Sequence, residues 1–226
     1  MVLDDILCAG DNGRVSESSV PARQRILEAA LDEFSAYGYA GARVQAIADC
    51  AQTNKRMLFY YFGDKKGLYA AVAEELFRRV VPAVNDAGRE HLLKGDPVAA
   101  LRAIVEAYFD GLLRNRNYAR FIGWEIANQW AMRSERPDGF LPVRSLIGEV
   151  TRAGIAQGVF EPSLEPRLMP LLVSSTILLL FLGGPTVELD LHASVDDPEI
   201  REPLRKAVIE WILRAAGANA DKSALP

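Results

Sequence analysis

Lys55 and Arg56 stand side by side directly after Gln52-Thr53-Asn54, ahead of Phe59-Tyr60-Tyr61-Phe62 and then Lys65-Lys66. Side chains of these types do recognition chemistry. A guanidinium or ammonium donates to guanine O6 and N7 in the major groove of B-DNA. Tyr60 can pack on a thymine methyl or donate to a phosphate. Asn54 and the first amides of a helix beginning there can meet phosphate oxygens. A charged helix face is ordinarily just solvated, but four consecutive aromatics cannot all be buried by one short helix. Their remainder needs another partner, and Lys65 and Lys66 lie one turn beyond. This window predicts a surface that reads duplex DNA.

Other chemistries find little support. The two histidines, His91 and His192, have no metal-ligand spacing, and the chain has no G-x-S-x-G and no Gly-rich phosphate loop. Gly183-Gly184 reads as a loop break, and the carboxylates read as helix surfaces and caps. No catalytic residue, metal or cofactor is therefore expected. Two cysteines, Cys8 and Cys50, provide no disulfide framework, which fits a reduced, cytoplasmic home. Cys50 in an apolar helix reads as packing.

The 226 residues carry a net charge of −4, so no global attraction to nucleic acid or anionic membranes is expected. The charge is uneven, however. Residues 21–66 hold seven Lys/Arg against five Asp/Glu, and both flanking regions are net acidic. The longest apolar run, Leu171–Leu182, is interrupted by Ser174, Ser175 and Thr176 and falls short of the roughly 18 residues of a membrane span. Asp4 and Asp5 do not fit a signal peptide. No membrane partner is expected.

The elements that would position the basic window are helical. Residues 1–20 lack periodicity and read as a flexible arm. After Pro21, Ile26, Ala30, Phe34 and Tyr37 recur at helical spacing, with Leu27 and Leu31 widening the stripe and Gly38 as a stop. Val44, Ile47, Ala48 and Ala51 mark a second helix. Asn54 caps a third from Lys55 to about Tyr61. In it Leu58, Tyr61 and Phe62 can point inward, leaving Lys55, Arg56 and Tyr60 outside. A fourth helix starts near Asp64 and runs to Pro82. Further helices open at Pro97, Tyr118, Phe140, Pro166 and Asp197, separated by Gly/Pro breaks. The fold class is all-α: a three-helix helix-turn-helix head (21–66), a larger helical body (67–217) and a frayed tail (218–226).

The stretch "ILEAALDEFSAYGYAGARVQAIADCAQTNKRMLFYYFGDKKGLYAAV" resembles the N-terminal domain of the TetR family of transcriptional repressors. The shared pattern is Ile26, Ala29-Ala30, Phe34 and Gly38-Tyr39, then Val44, Ile47-Ala48 and Ala51, then Leu58 to Phe62, Lys65 and Leu68. The resemblance implies a DNA-binding head on a ligand-binding and dimerisation body. By position it places Asn54, Lys55 and Arg56 near bases, and Phe59, Tyr60, Tyr61 and Lys65 at the DNA backbone or nearby bases. Family members usually have Gly-Val-Ser-x-Gly where this chain has Gln52-Thr53-Asn54-Lys55-Arg56, so Gln52 must accept a turn geometry that glycine meets easily. Arg43 replaces a usual Thr and can contact phosphate.

In the body the resemblance implies a small-molecule cavity among the middle helices and a dimer interface from the last two. Trp124 and Asn128, i, i+4 neighbours, and Tyr108 on the preceding helix are the candidate ligand contacts, beside Phe121, Ile126 and Trp130 as apolar surface; the alternative is that these aromatics are core. Leu171–Leu182 is apolar nearly all round and must be buried, and the final helix adds Val208, Ile209, Trp211, Ile212 and Leu213. The expected partners are double-stranded operator DNA, a small-molecule effector of unknown identity and a second copy of the chain. The expected function is a ligand-responsive regulator, a repressor on a palindromic operator. The alternatives are a helical DNA-binding or interaction module without ligand control, and an activator.

Overall fold

The computed structural model describes residues 21–128, 141–183, 188–190 and 192–218. Among these the regular structure is entirely helical: α1 (Ala22–Gly41), α2 (Val44–Cys50), α3 (Lys55–Phe62), α4 (Lys65–Leu93), α5 (Pro97–Arg114), α6 (Arg116–Ala127), α7 (Leu141–Ala156), α8 (Met169–Leu182) and α9 (Pro198–Ala215). The described residues form two compact units. The first holds the chain up to Leu76 and again from Arg120; the second holds Phe77–Ala119 and the chain from 141 onward.

In the first unit the apolar stripe of α1 meets those of α2 and α3. Ile26, Ala30, Phe34, Ile47, Ala48, Leu58 and Leu68 are fully buried together. Tyr69 is the hub of an aromatic cluster: Phe34 and Tyr39 meet it edge-on, with centroids at 4.9 and 5.1 Å, and Phe121 lies at 4.7 Å. Its hydroxyl donates to Glu125 Oε1 at 2.5 Å, which satisfies a buried carboxylate. Burial, and then the Glu125 carboxylate, push the Tyr69 phenol well above its usual range.

Gly38 breaks α1 as its position suggests. Its φ is 66°, and a Cβ there would stand 2.8 Å from Trp124 Cδ2, so only glycine suits both the backbone and the neighbour. Trp124 in turn donates Nε1 to the Ser35 carbonyl at 3.2 Å.

In the second unit α5 is central, packed by α7, α8 and α9. Ile104, Val105, Phe109, Leu112, Leu146, Val150 and Ile177 form its buried core. Asp96 caps α5 by accepting from the Ala99 amide at 2.9 Å, with Pro97 opening the helix. Arg205 of α9 grips Asp110 of α5 through two bonds, Nε at 2.9 Å and Nη2 at 3.1 Å.

One expectation changes. The helix expected to stop at Pro82 continues to Leu93. A proline inside a helix costs about 3 kcal/mol. Val80 and Val84, on either side of it, are buried, and each buried valine contributes about 1.5–3 kcal/mol, so packing carries the helix through. The apolar α8, expected to be buried with a second copy's help, is buried within the single chain on one face only. Val173 and Ile177 are buried, while Leu171, Leu172 and Leu179 are more than half exposed.

Candidate nucleic-acid interface and a cavity in the body

The basic window is held by a helix-turn-helix with a defined stop. The Thr53 amide donates to the Ala48 carbonyl at 2.9 Å and the Gln52 amide to Asp49 at 3.0 Å, with Gln52 between them at φ 51°. That pairing is a Schellman stop, whose left-handed position glycine normally fills. The geometry required of Gln52 is thus present. Arg25 of α1 donates Nε to the Ala51 carbonyl at 3.3 Å and ties the turn to the bracing helix.

Asn54 then caps α3, its Oδ1 accepting from the Met57 amide at 3.0 Å. This leaves its amide nitrogen to donate elsewhere. Leu58, fully buried, anchors α3 in the core and fixes its rotation. Lys55, Arg56, Phe59, Tyr60 and Tyr61 are exposed as a consequence, Tyr60 at 77%. Tyr61 does not turn inward with Leu58; its ring meets Tyr60 edge-on at 5.3 Å. Phe62 is half-buried beneath the Arg23 guanidinium, 5.1 Å from its ring, a partner on α1 with no local sequence signal.

The flanking cations are anchored differently. Lys65 donates Nζ to the Ala42 carbonyl at 2.7 Å and lies 5.0 Å from the Tyr39 ring, so it ties α4 to the end of α1 with two of its donors left over. Arg43 has an exposed side chain, and its amide donates to Glu33 Oε1 at 2.8 Å. The arrangement offers donors and aromatic surface from one short helix, which suits major-groove recognition. It assembles no nucleophile or acid–base pair, and the described residues hold no metal-ligating cluster.

The second unit contains a cavity of about 30 Å³. Val80, Val81 and Val84 of α4, Ile104 and Tyr108 of α5, Tyr118 of α6, Val143, Arg144 and Ile147 of α7, and Pro170, Val173 and Ser174 of α8 line it. Tyr108 is on the wall of this cavity. Trp124 and Asn128 lie in the first unit instead. Trp124 covers Gly38, and Asn128 is exposed, donating Nδ2 to the Trp124 carbonyl at 2.8 Å. Phe121 is buried, Ile126 is exposed, and Trp130 lies outside the described residues. Tyr118 and Arg144 were missed by the sequence reading. Their only signal was a phenol and a guanidinium on otherwise apolar helix faces.

An exposed basic recognition helix in one unit and a cavity in the other point to a class: a helix-turn-helix regulator of DNA. Comparison with known proteins agrees. Residues 26–72 match the model of the "Bacterial regulatory proteins, tetR family", and residues 97–212 match that of the "Tetracyclin repressor-like, C-terminal domain". The chain belongs to the TetR family, whose members are DNA-binding regulators and not enzymes. It is similar to the HTH-type transcriptional repressor NicS of Pseudomonas putida, 32% identical over 149 residues, 62% of this chain and 66% of that one. It is also similar to the HTH-type transcriptional regulator RutR of Escherichia coli, 41% identical over 64 residues, 28% of this chain and 30% of that one. The matches thus span just under two thirds of the first relative and less than a third of the second. Among solved structures, the transcriptional regulator SCO4942 of Streptomyces coelicolor shares the fold, with a TM-score of 0.66 at 24% identity, covering 88% of this chain and all of that one. No helix among the described residues is long and apolar enough to cross a membrane.

Proposed function

We propose that the protein is a cytoplasmic, homodimeric transcriptional repressor that binds a palindromic or near-palindromic operator and is released by a small molecule. The observation that carries this reading is the outward face of α3, where Lys55, Arg56 and Tyr60 are exposed while buried Leu58 fixes the helix's rotation. Side chains so held can approach base edges, with Arg43, Asn54, Phe59, Tyr61 and Lys65 at phosphates or flanking bases.

The exposed leucines of α8, together with Trp211 of α9 at 58% exposure, support a dimer through the last two helices. Two heads related by a two-fold axis read half-sites about one helical turn apart, or a multiple of it. The cavity supports effector control. A ligand that favours one body conformation changes operator affinity by a coupling free energy of about 1–3 kcal/mol.

The experiment is Lys55→Ala with Arg56→Ala, read by fluorescence anisotropy on selected operator and on scrambled duplex. Operator preference is expected to vanish while helicity and oligomeric state persist. Unchanged preference would remove α3 as the reading element.

A further inference from the structure

Glu33 is a buried acid on α1, where Ala29, Ala30, Leu31 and Phe34 around it are buried as well. Taking a carboxylate out of water is costly, and a well-packed apolar side chain of similar volume often stabilises such a site as well or better. Packing does not account for an acid at this position; its hydrogen bond does. We propose that Glu33 is a positioning residue for DNA binding: it fixes the backbone at Arg43 and so sets where the Arg43 guanidinium meets phosphate. This rests on the phosphate contact assigned to Arg43 above and adds the residue that holds it in place.

The geometry centres on one peptide group. Glu33 Oε1 accepts from the Arg43 amide at 2.8 Å. On the other side of the same peptide, the Ala42 carbonyl accepts from Lys65 Nζ at 2.7 Å. The Ala42–Arg43 peptide is thus held between an acid on α1 and an ammonium on α4, each at the end of its dipole that suits it. The Ala42 amide donates to the Gly38 carbonyl at 3.2 Å. Three consecutive polar groups of the connector from α1 to α2 are therefore bonded.

Helix α2 has no such hold of its own. Arg43 stands at its N-cap position and makes no capping bond with its side chain. Ala46, three residues on, cannot reach back to the cap amide as a Glu or Gln there would. Glu33 does this from α1, which leaves the cap position open to an exposed arginine. The amide nitrogen is one bond from the Cα that carries the side chain, so pinning the amide fixes the root of the guanidinium. The first helix of a helix-turn-helix crosses the DNA backbone, and a side chain rooted at its start can meet phosphate. A fixed root leaves less freedom to be lost on binding.

The test measures how log K for duplex DNA falls with log salt concentration, by fluorescence anisotropy on the full-length protein. The probe is the duplex it selects from a random pool, or the pool itself if it selects none, since the phosphate contribution is independent of sequence. Arg43→Ala is expected to flatten the slope by about 0.9 for each head bound. Glu33→Met should flatten it equally, and the double variant no further. Glu33→Gln, which keeps an oxygen for the amide, should keep the wild-type slope. A merely structural role for Glu33 would lower the amount of folded protein without changing the slope of the remainder. Should Glu33→Met not fold, Glu33→Asp, one methylene short of the amide, takes its place with the same expectation. A wild-type slope in the Met or Asp variant, additive losses in the double variant, or flattening in Glu33→Gln would overturn the proposal. A protein that selects no duplex yet shows the expected slopes on the pool removes the operator reading and supports the role of Glu33. An unchanged slope in Arg43→Ala removes the phosphate contact, and the proposal with it.

Discussion

Gln52 occupies a backbone conformation that a side chain resists. Its φ of 51° closes the stop between α2 and α3, and a left-handed residue with a Cβ costs about 1–2 kcal/mol. The requirement was legible through the resemblance alone, in which glycine usually stands where this chain has Gln52. Gln52→Gly is therefore expected to stabilise the head by up to about 1 kcal/mol, part of the relief being offset by the freer unfolded chain. Denaturant midpoints read this directly, and a glycine variant that is no more stable would show that the Gln52 side chain compensates for its backbone. Neighbouring residues were less legible. Leu58 and Asn54 follow from local rules of spacing and capping, and both take the expected roles. Phe62 and Lys65 depend on elements distant in sequence: α1 lends Arg23 to cover Phe62, and the Ala42 carbonyl recruits Lys65.

At the scale of elements, helices marked by a cap, a periodic stripe and a terminal break could be read from residue order. α5 opens at Pro97 behind its Asp96 cap, and α9 opens at Pro198 behind Asp197. Pro82 misled, since a proline signals a break locally while the burial of Val80 and Val84 is a tertiary fact. Most of the cavity's lining escaped for the same reason. Five helices line it, and no local window holds more than three of its residues. Trp124 and Asn128 drew notice as a polar–aromatic pair, yet Trp124 belongs to the packing at Gly38. One energetic consequence follows from the buried phenols of α4, α5 and α6. Tyr69, Tyr108 and Tyr118 are all held protonated above the ordinary value of 10.0. The unfolded chain releases those protons first, so their contribution is full below about pH 10 and is lost as pH rises above it. Urea midpoints should therefore fall steeply beyond about pH 10, and less steeply in Tyr69→Phe and Tyr108→Phe variants that remain folded. An equal slope in those variants would assign the alkaline loss to other groups.

On the scale of the whole molecule, the chain combines a net charge of −4 with a local excess of cations over residues 21–66. That balance favours binding through one oriented face over indiscriminate adhesion to polyanions. The apolar faces of α8 and α9 belong to the same account. Leu171, Leu172, Leu179 and Trp211 are exposed in the single chain at 52, 55, 68 and 58%, and a second copy related by two-fold symmetry would cover them. Leu171→Asp with Leu179→Asp is expected to leave helicity intact and yield a monomer by light scattering, with operator affinity much reduced. A dimer persisting in that variant would place the interface elsewhere.

The measurement that bears most directly on the central claim is selection of bound duplexes from a random DNA pool by the full-length protein at near-physiological salt. Two α3 helices on one dimer predict recovery of an inverted repeat, its half-sites spaced by about one helical turn or a multiple of it. Recovery of no preferred sequence by a folded dimer would contradict the claim and reduce Lys55 and Arg56 to a general grip on phosphate.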